Sequence, residues 1–203
     1  MRTLAIECAT PACSVALFDG DRLIAGDYAE LGRGHAERLV PMIQALPGKG
    51  RADRVIVSLG PGSFTGVRIG IAAARALGVA WNIDVLGYPT LALVAAMARN
   101  RSGPQVVGVA MTGGHGEWFC QEFAPNGEAL SQLASLNPDA AGTAIRAELV
   151  AGSQAEALVD LRGSGHALGC LPDAREAVLL PPNALTKDLR PVYGRAPDAR
   201  LPA

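Results

Sequence analysis

The residues with the most chemical potential lie in one run, Ser58-Leu59-Gly60-Pro61-Gly62-Ser63-Phe64-Thr65-Gly66-Val67-Arg68-Ile69-Gly70. It reads as a buried strand that enters a Gly-Pro-Gly turn and leaves into a helix. Backbone N–H groups at such a helix start can hold an anion. The run is not a P-loop, because no Gly-Lys-Ser/Thr follows. Nor is it a dinucleotide fingerprint, since the sixth position counted from Gly60 is Thr65. A structural turn is favoured over a phosphate site. Ser63 and Thr65 have no histidine or acid near them in sequence, so helix capping is favoured over nucleophilic chemistry.

The helix after the turn has a second property. Gly66, Gly70 and Ala74 lie four apart on one stripe, with Ile69, Ala73, Ala76 and Leu77 around it. Small residues at that spacing admit close approach, either to the chain's own sheet or to a helix of another chain. Metal chemistry has little to draw on. Cys8, Cys13, Cys120 and Cys170 form no CxxC pair and no zinc spacing, and read as free thiols. His35, His115 and His166 are far apart and read as surface or loop histidines.

These residues must be positioned by a regular framework. Residues 4–8, 14–19 and 22–28 read as a three-strand meander, with Asp19-Gly20-Asp21 as a hairpin turn. Residues 35–46 read as a helix, with Leu39, Met42, Ile43 and Leu46 on one face and Pro41 able to kink it. A strand over 54–59, the helix to about Ala80, a strand over 83–86 and a helix over 90–98 capped by Thr90 complete βββαβαβα. The turn-rich 100–104 divides a lobe over 1–102 from a second over 103–203. There, strands over 106–111 and 118–123 flank Thr112-Gly113-Gly114-His115-Gly116. Residues 125–138 read as loop, 158–161 as strand, 166–171 as short helix and the tail from Pro181 as extended. No long repeat is visible.

Composition sets the outer bounds. The 203 residues carry 18 Lys+Arg against 19 Asp+Glu, a net charge of −1. That argues against a protein that grips nucleic acid alone. Hydrophobic residues at 49% exclude disorder, and charged residues at only 18% imply a surface shared with a partner or buried well. Glu7 interrupts the N-terminal apolar stretch too early for a signal peptide. The longest apolar run, near 70–80, contains Arg75 and is too short to span a bilayer. The expectation is a soluble cytoplasmic protein with no membrane contact.

The Gly60–Gly70 run resembles the signature of TsaB, the YeaZ-like bacterial subunit of tRNA threonylcarbamoyladenosine biosynthesis. Residues 4–17, 35–43, 87–91 and 191–199 extend the resemblance in order. It implies an α/β, actin-like or sugar-kinase-like fold of two lobes, the second small and divergent. It also implies a non-catalytic scaffold that binds the transferase TsaD as a heterodimer, with the TsaE ATPase joining. TsaD modifies the adenosine beside the tRNA anticodon, and tRNA contact by this chain would be indirect. Alone, the chain could form a homodimer. The implied interface lies on the two first-lobe helices, at Arg38, Leu39, Met42, Ile43, Gly66, Ile69, Gly70, Ala73 and Leu77.

The resemblance speaks to the chemistry too. TsaD holds its metal with a His-x-x-x-His pair, and those positions here are Tyr88 and Ala92, so neither metal nor cofactor is expected. Actin-like phosphotransferases place an Asp on the opening strand, where this chain has Glu7. Thr112-Gly113-Gly114-His115 is similar to the Ser-Gly-Gly-His of TsaD. Glu7, Gly62, Ser63, His115 and Gly165 are thus candidates for a vestigial nucleotide site. The alternatives are an actin-like ATPase or phosphotransferase and, behind it, a metallopeptidase.

Overall fold

The computed structural model describes residues 1–194, and Arg195 to Ala199 of the tail segment lie outside the described residues. The first sheet holds β1 (Arg2–Glu7), β2 (Ala12–Asp19), β3 (Arg22–Glu30), β4 (Arg54–Ser58) and β5 (Asp84–Tyr88), in the order β3-β2-β1-β4-β5. β1 to β3 form the antiparallel meander, and β4 and β5 run parallel to β1. The connections carry α1 (His35–Ala45) and α2 (Phe64–Trp81), and α3 (Thr90–Ser102) follows β5.

The second half repeats this plan. Strands β6 (Val107–Thr112), β7 (Trp118–Phe123), β8 (Ala134–Leu136), β9 (Leu149–Ala151) and β10 (His166–Leu168) take the order β10-β9-β6-β7-β8. β6 to β8 are again an antiparallel meander, and β9 and β10 again run parallel to the first strand. α4 (Pro138–Ala144) and α5 (Ala155–Arg162) stand where α1 and α2 stand in the first half. The repeat that the sequence hides is therefore plain in the topology.

Three expectations for this half are corrected. The expected strand over 158–161 lies in α5, where Ala155 and Leu158 are buried at helical spacing. The expected helix over 166–171 opens with the edge strand β10, whose exposed His166 and Ala167 and half-buried Leu168 give no alternation to read. The expected loop over 125–138 contains β8, three half-buried residues. Thr90 is the first residue of α3 and not its cap; its hydroxyl instead lies 2.6 Å from that of Ser58.

Alternation along the strands builds the layers. Leu4, Ile6, Val15, Leu17, Val55 and Val57 bury one face of the first sheet against α1 and α2. Ala5, Ala16, Phe18 and Ile56 turn to the other face and join α3 and the second sheet's Val107, Val109 and Phe119. Ala110, Cys120 and Val150 turn outward to α4 and α5. α3 thus lies between the two sheets, and Thr90 to Ala98 are buried on every side.

After β10 the chain returns to the first sheet. Ala174 N–H donates to Ser14 Oγ (2.9 Å), Thr186 and Gly87 exchange two backbone bonds (2.7 and 2.9 Å), and Val192 N–H reaches the Leu59 carbonyl (2.7 Å).

Candidate functional site

Between the lobes lies a cleft of about 760 Å³. Its first wall is Ala9 to Pro11, the connection between β1 and β2, with Pro61 to Phe64 at the start of α2. Its second wall is Met111 to His115, the end of β6 and the start of its connection to β7, with Phe119 and Ser153. The two connections are the same element in the duplicated plan, so the cleft is where the repeats face each other. Leu171, Val192 and Tyr193 close it.

Most polar groups in the walls serve the fold. Ser63 caps α2, its Oγ accepting from Gly66 N–H (3.2 Å), and its own N–H donates to the Ala9 carbonyl (2.7 Å). Thr112 Oγ1 lies 3.1 Å from Ser153 Oγ and accepts from Gln154 Nε2 (2.8 Å). At the mouth, the Arg68 guanidinium lies 3.3 Å from the Phe64 ring centroid and 5.3 Å from that of Tyr193, and donates to the Tyr193 hydroxyl. Among the described residues, no carboxylate lines the cleft. Nor do three His, Cys, Asp or Glu residues converge as metal ligands.

Of the proposed nucleotide-site residues, Gly62, Ser63 and His115 come together in the cleft. Glu7 and Gly165 do not. Gly165 belongs to the turn before β10, against Arg162 and the Glu148 carbonyl. Glu7 is buried below the wall, at 0% exposure. Its carboxylate accepts from Ala9 N–H (2.6 Å) and from the Tyr88 hydroxyl (3.4 Å). Burial without a cation pushes its pKa up to about 7, against the opposing pull of those donors.

The expected interface is also redistributed. Leu39, Met42 and Ile43 are 1–4% exposed and belong to the first sheet's core, which explains their shared face. Gly66 and Gly70 are buried against β1. The stripe therefore serves close packing on the chain's own sheet. Ile69, Ala73 and Leu77 are half-buried beside it, and Arg38 is exposed.

A Cβ at Gly66 would overlap the Cys8 carbonyl oxygen, whereas one at Gly70 would sit 3.5 Å from Cys8 Cβ and Val57 Cγ2, an ordinary contact. Gly66→Ala is therefore expected to cost about 1–3 kcal/mol in urea denaturation. Gly70→Ala should be neutral or gain up to about 1 kcal/mol of helix stability.

His35 was expected at the surface and is buried. From the start of α1, its Nε2 reaches the carbonyls of Thr10 (2.9 Å) and Ala12 (3.3 Å), so it holds the cleft's first wall. Nothing in its sequence neighbourhood signals this, because its partners lie over twenty residues away. Tyr193 also escaped the site assignment, although it stands in the tail segment that carried the resemblance.

Two sheets of identical strand order, each followed by a flanking helical layer and meeting at a cleft, define a two-lobe actin-like α/β protein. A family model described as TsaD, tRNA N6-adenosine threonylcarbamoyltransferase, matches residues 29–169, more than half of the chain. The tRNA threonylcarbamoyladenosine biosynthesis protein TsaB of Escherichia coli (strain K12) is 38% identical over 128 residues, spanning 61% of this chain. That match spans 55% of the relative's own length, about half. An uncharacterized protein of Mycobacterium tuberculosis (strain ATCC 25618 / H37Rv) is 31% identical over 97% of this chain and 93% of its own. Among solved structures, an uncharacterized protein from Pseudomonas aeruginosa, titled as similar to peptidase YEAZ, superposes with a TM-score of 0.82 at 29% identity. It covers 96% of this chain and 99% of its own. The chain belongs to the TsaB family. No helix among the described residues is long and apolar enough to cross a membrane.

Proposed function

We propose that this chain is a non-catalytic scaffold subunit of tRNA threonylcarbamoyladenosine modification, binding the TsaD transferase through the outer faces of α1 and α2. The observation that carries this is the character of those faces. Val40 on α1 and Val79 on α2 are 49% and 84% exposed. Around them Ala36, Ala72, Ala76 and Ala80 are exposed, with Ile69, Ala73 and Leu77 half-buried. An apolar surface of this kind on a charge-poor protein is suited to a protein partner. Arg38, on the same helix as Val40, is exposed as well. TsaE would join the complex through the pair, and a second copy could cover the face when TsaD is absent. The net charge of −1 suits a protein that meets the enzyme and leaves tRNA to it.

Support for a non-catalytic role comes from the cleft. An actin-like ATPase needs a carboxylate exposed to metal-bound phosphate. Here Glu7 is turned into the core, and the Tyr88 hydroxyl is committed to the Ile6 carbonyl (3.0 Å) and to Glu7. A metallopeptidase would need ligands where Tyr88 and Ala92 are buried.

The test is copurification with coexpressed TsaD. Ala76→Arg and Val40→Asp should abolish the complex and the tRNA modification that depends on it. Both side chains are exposed, so the melting temperature of the isolated chain should stay close to that of the parent. A full-strength complex with both variants would refute the docking face.

A further inference from the structure

The β1–β2 register pairs Ile6 with Val15 and Glu7 with Ser14. One step further, Cys8 stands opposite Cys13. Their sulfurs are 3.6 Å apart, and the residues are 1% and 0% exposed. Directly opposed residues of antiparallel strands have Cα atoms about 4.5–5.5 Å apart. That lies inside the roughly 4.4–6.8 Å that a disulfide spans. The residues between the two cysteines, Ala9 to Ala12, include the cleft's first wall, Ala9 to Pro11, so a bridge between the sulfurs would close the loop that carries that wall.

We propose that Cys8 and Cys13 form a dithiol that a small peroxide converts into an intramolecular disulfide, fixing the cleft's first wall. The two thiols differ in the way such chemistry requires. With Cys8 as the donor in the sulfur–sulfur contact, its S–H holds the Cys13 thiol below its ordinary range, and the same contact pushes Cys8 up. Cys13 is therefore the nucleophile. Its thiolate attacks one peroxide oxygen, the O–O bond breaks, and hydroxide leaves to be protonated to water. Cys13 is then a sulfenic acid. The Cys8 sulfur attacks the Cys13 sulfur, the S–O bond breaks, and a second water leaves with the Cys8 proton. The thiols lose two electrons and the peroxide gains them. The wall so closed is the one that His35 holds through the Thr10 and Ala12 carbonyls. The disulfide would add a covalent tie to those hydrogen bonds.

The test uses the full chain treated with hydrogen peroxide at neutral pH, then denatured and capped with a maleimide. Trypsin cuts after Arg2 and Arg22, and the peptide between holds only Cys8 and Cys13. The expected result is that this peptide loses two hydrogens in mass, takes no maleimide, and takes two after dithiothreitol. Amide exchange over Ala9 to Ala12 should slow by about tenfold or more in the oxidised protein. Cys13→Ser should prevent closure and leave Cys8 capped at the same peroxide dose, with Cys13→Ala as the second variant if the serine does not fold. Two maleimides on the wild-type peptide after peroxide would overturn the proposal. So would a Cys13 sulfinic acid in place of the bridge, or a bridge formed between chains. A bridge that leaves exchange over the wall unchanged would overturn the fixing role.

Discussion

Glu7→Gln is expected to stabilise the protein by about 3 kcal/mol above neutral pH and to remove a pH dependence that the parent shows. Glu7 is fully buried, has no cation against it, and titrates near 7 in the folded protein against 4.5 for the free side chain. Between those two values the unfolded chain has released this proton and the folded chain has kept it. The unfolded state then binds fewer protons, so stability falls as pH rises. The contribution is fully present below 4.5, declines on the way to 7, and is lost above it.

Glutamine can keep the hydrogen bonds to Ala9 and Tyr88 without that loss. Its carbonyl can still accept from Ala9 N–H. Its amide can donate to the Tyr88 oxygen, whose own proton goes to the Ile6 carbonyl. Other carboxylates titrate in both proteins alike, so the difference between their curves isolates Glu7. Urea denaturation across the acid-to-neutral range should give curves that meet at low pH and diverge above about pH 5. At pH about 8 the variant's melting temperature should lie roughly 6–12 °C higher. Parallel curves, or a variant less stable at high pH, would contradict a buried, uncompensated carboxyl.

The same residue shows how far a sequence can be read and where it stops. Glu7 was legible as part of an opening strand over 4–8, because the apolar run and the hairpin at Gly20 leave little choice. Whether its carboxylate faces a cleft or a core depends on Tyr88, over eighty residues away. The helices show the same division. Leu39, Met42 and Ile43 were correctly placed on one face of α1, but amphipathic periodicity says only that a face is covered. A helix that docks on its own sheet and one that docks on a partner have the same pattern. The Gly66-Gly70 stripe is ambiguous for the same reason, and the Cys8 and Val57 contacts resolve it.

The second lobe was the least legible because its elements are short. β8, β9 and β10 have three residues each, too few to show alternation. The repeat of strand order survives there without a repeat of residues, because topology needs only apolar positions at the right intervals. The cleft became visible only once the two β-connections faced each other.

Leu93→Ala is expected to destabilise the whole chain by roughly 2–5 kcal/mol and both lobes equally. Leu93 has no exposed surface and lies in α3, within a core that takes Ala5, Phe18 and Ile56 from the first sheet and Val107, Val109 and Leu149 from the second. A cavity there opens within a core that both sheets share. The lobes are further tied by the tail, through Ala174 on Ser14 and Thr186 on Gly87. A division at residue 102 would therefore cut through a shared core.

The chain offers its own reporters. It has two tryptophans, Trp81 at the end of α2 and Trp118 at the start of β7, one in each lobe. Trp118→Phe leaves a probe of the first lobe and Trp81→Phe a probe of the second. In the parent, the two fluorescence transitions in urea should coincide. Adding Leu93→Ala should move both to lower urea by the same amount. If the second lobe melts first, or if Leu93→Ala moves one transition and spares the other, the lobes are separate folding units. A single transition fits the proposed role, since strain at the α1 and α2 face can then cross the first sheet into the core that this sheet shares with α3 and the second lobe.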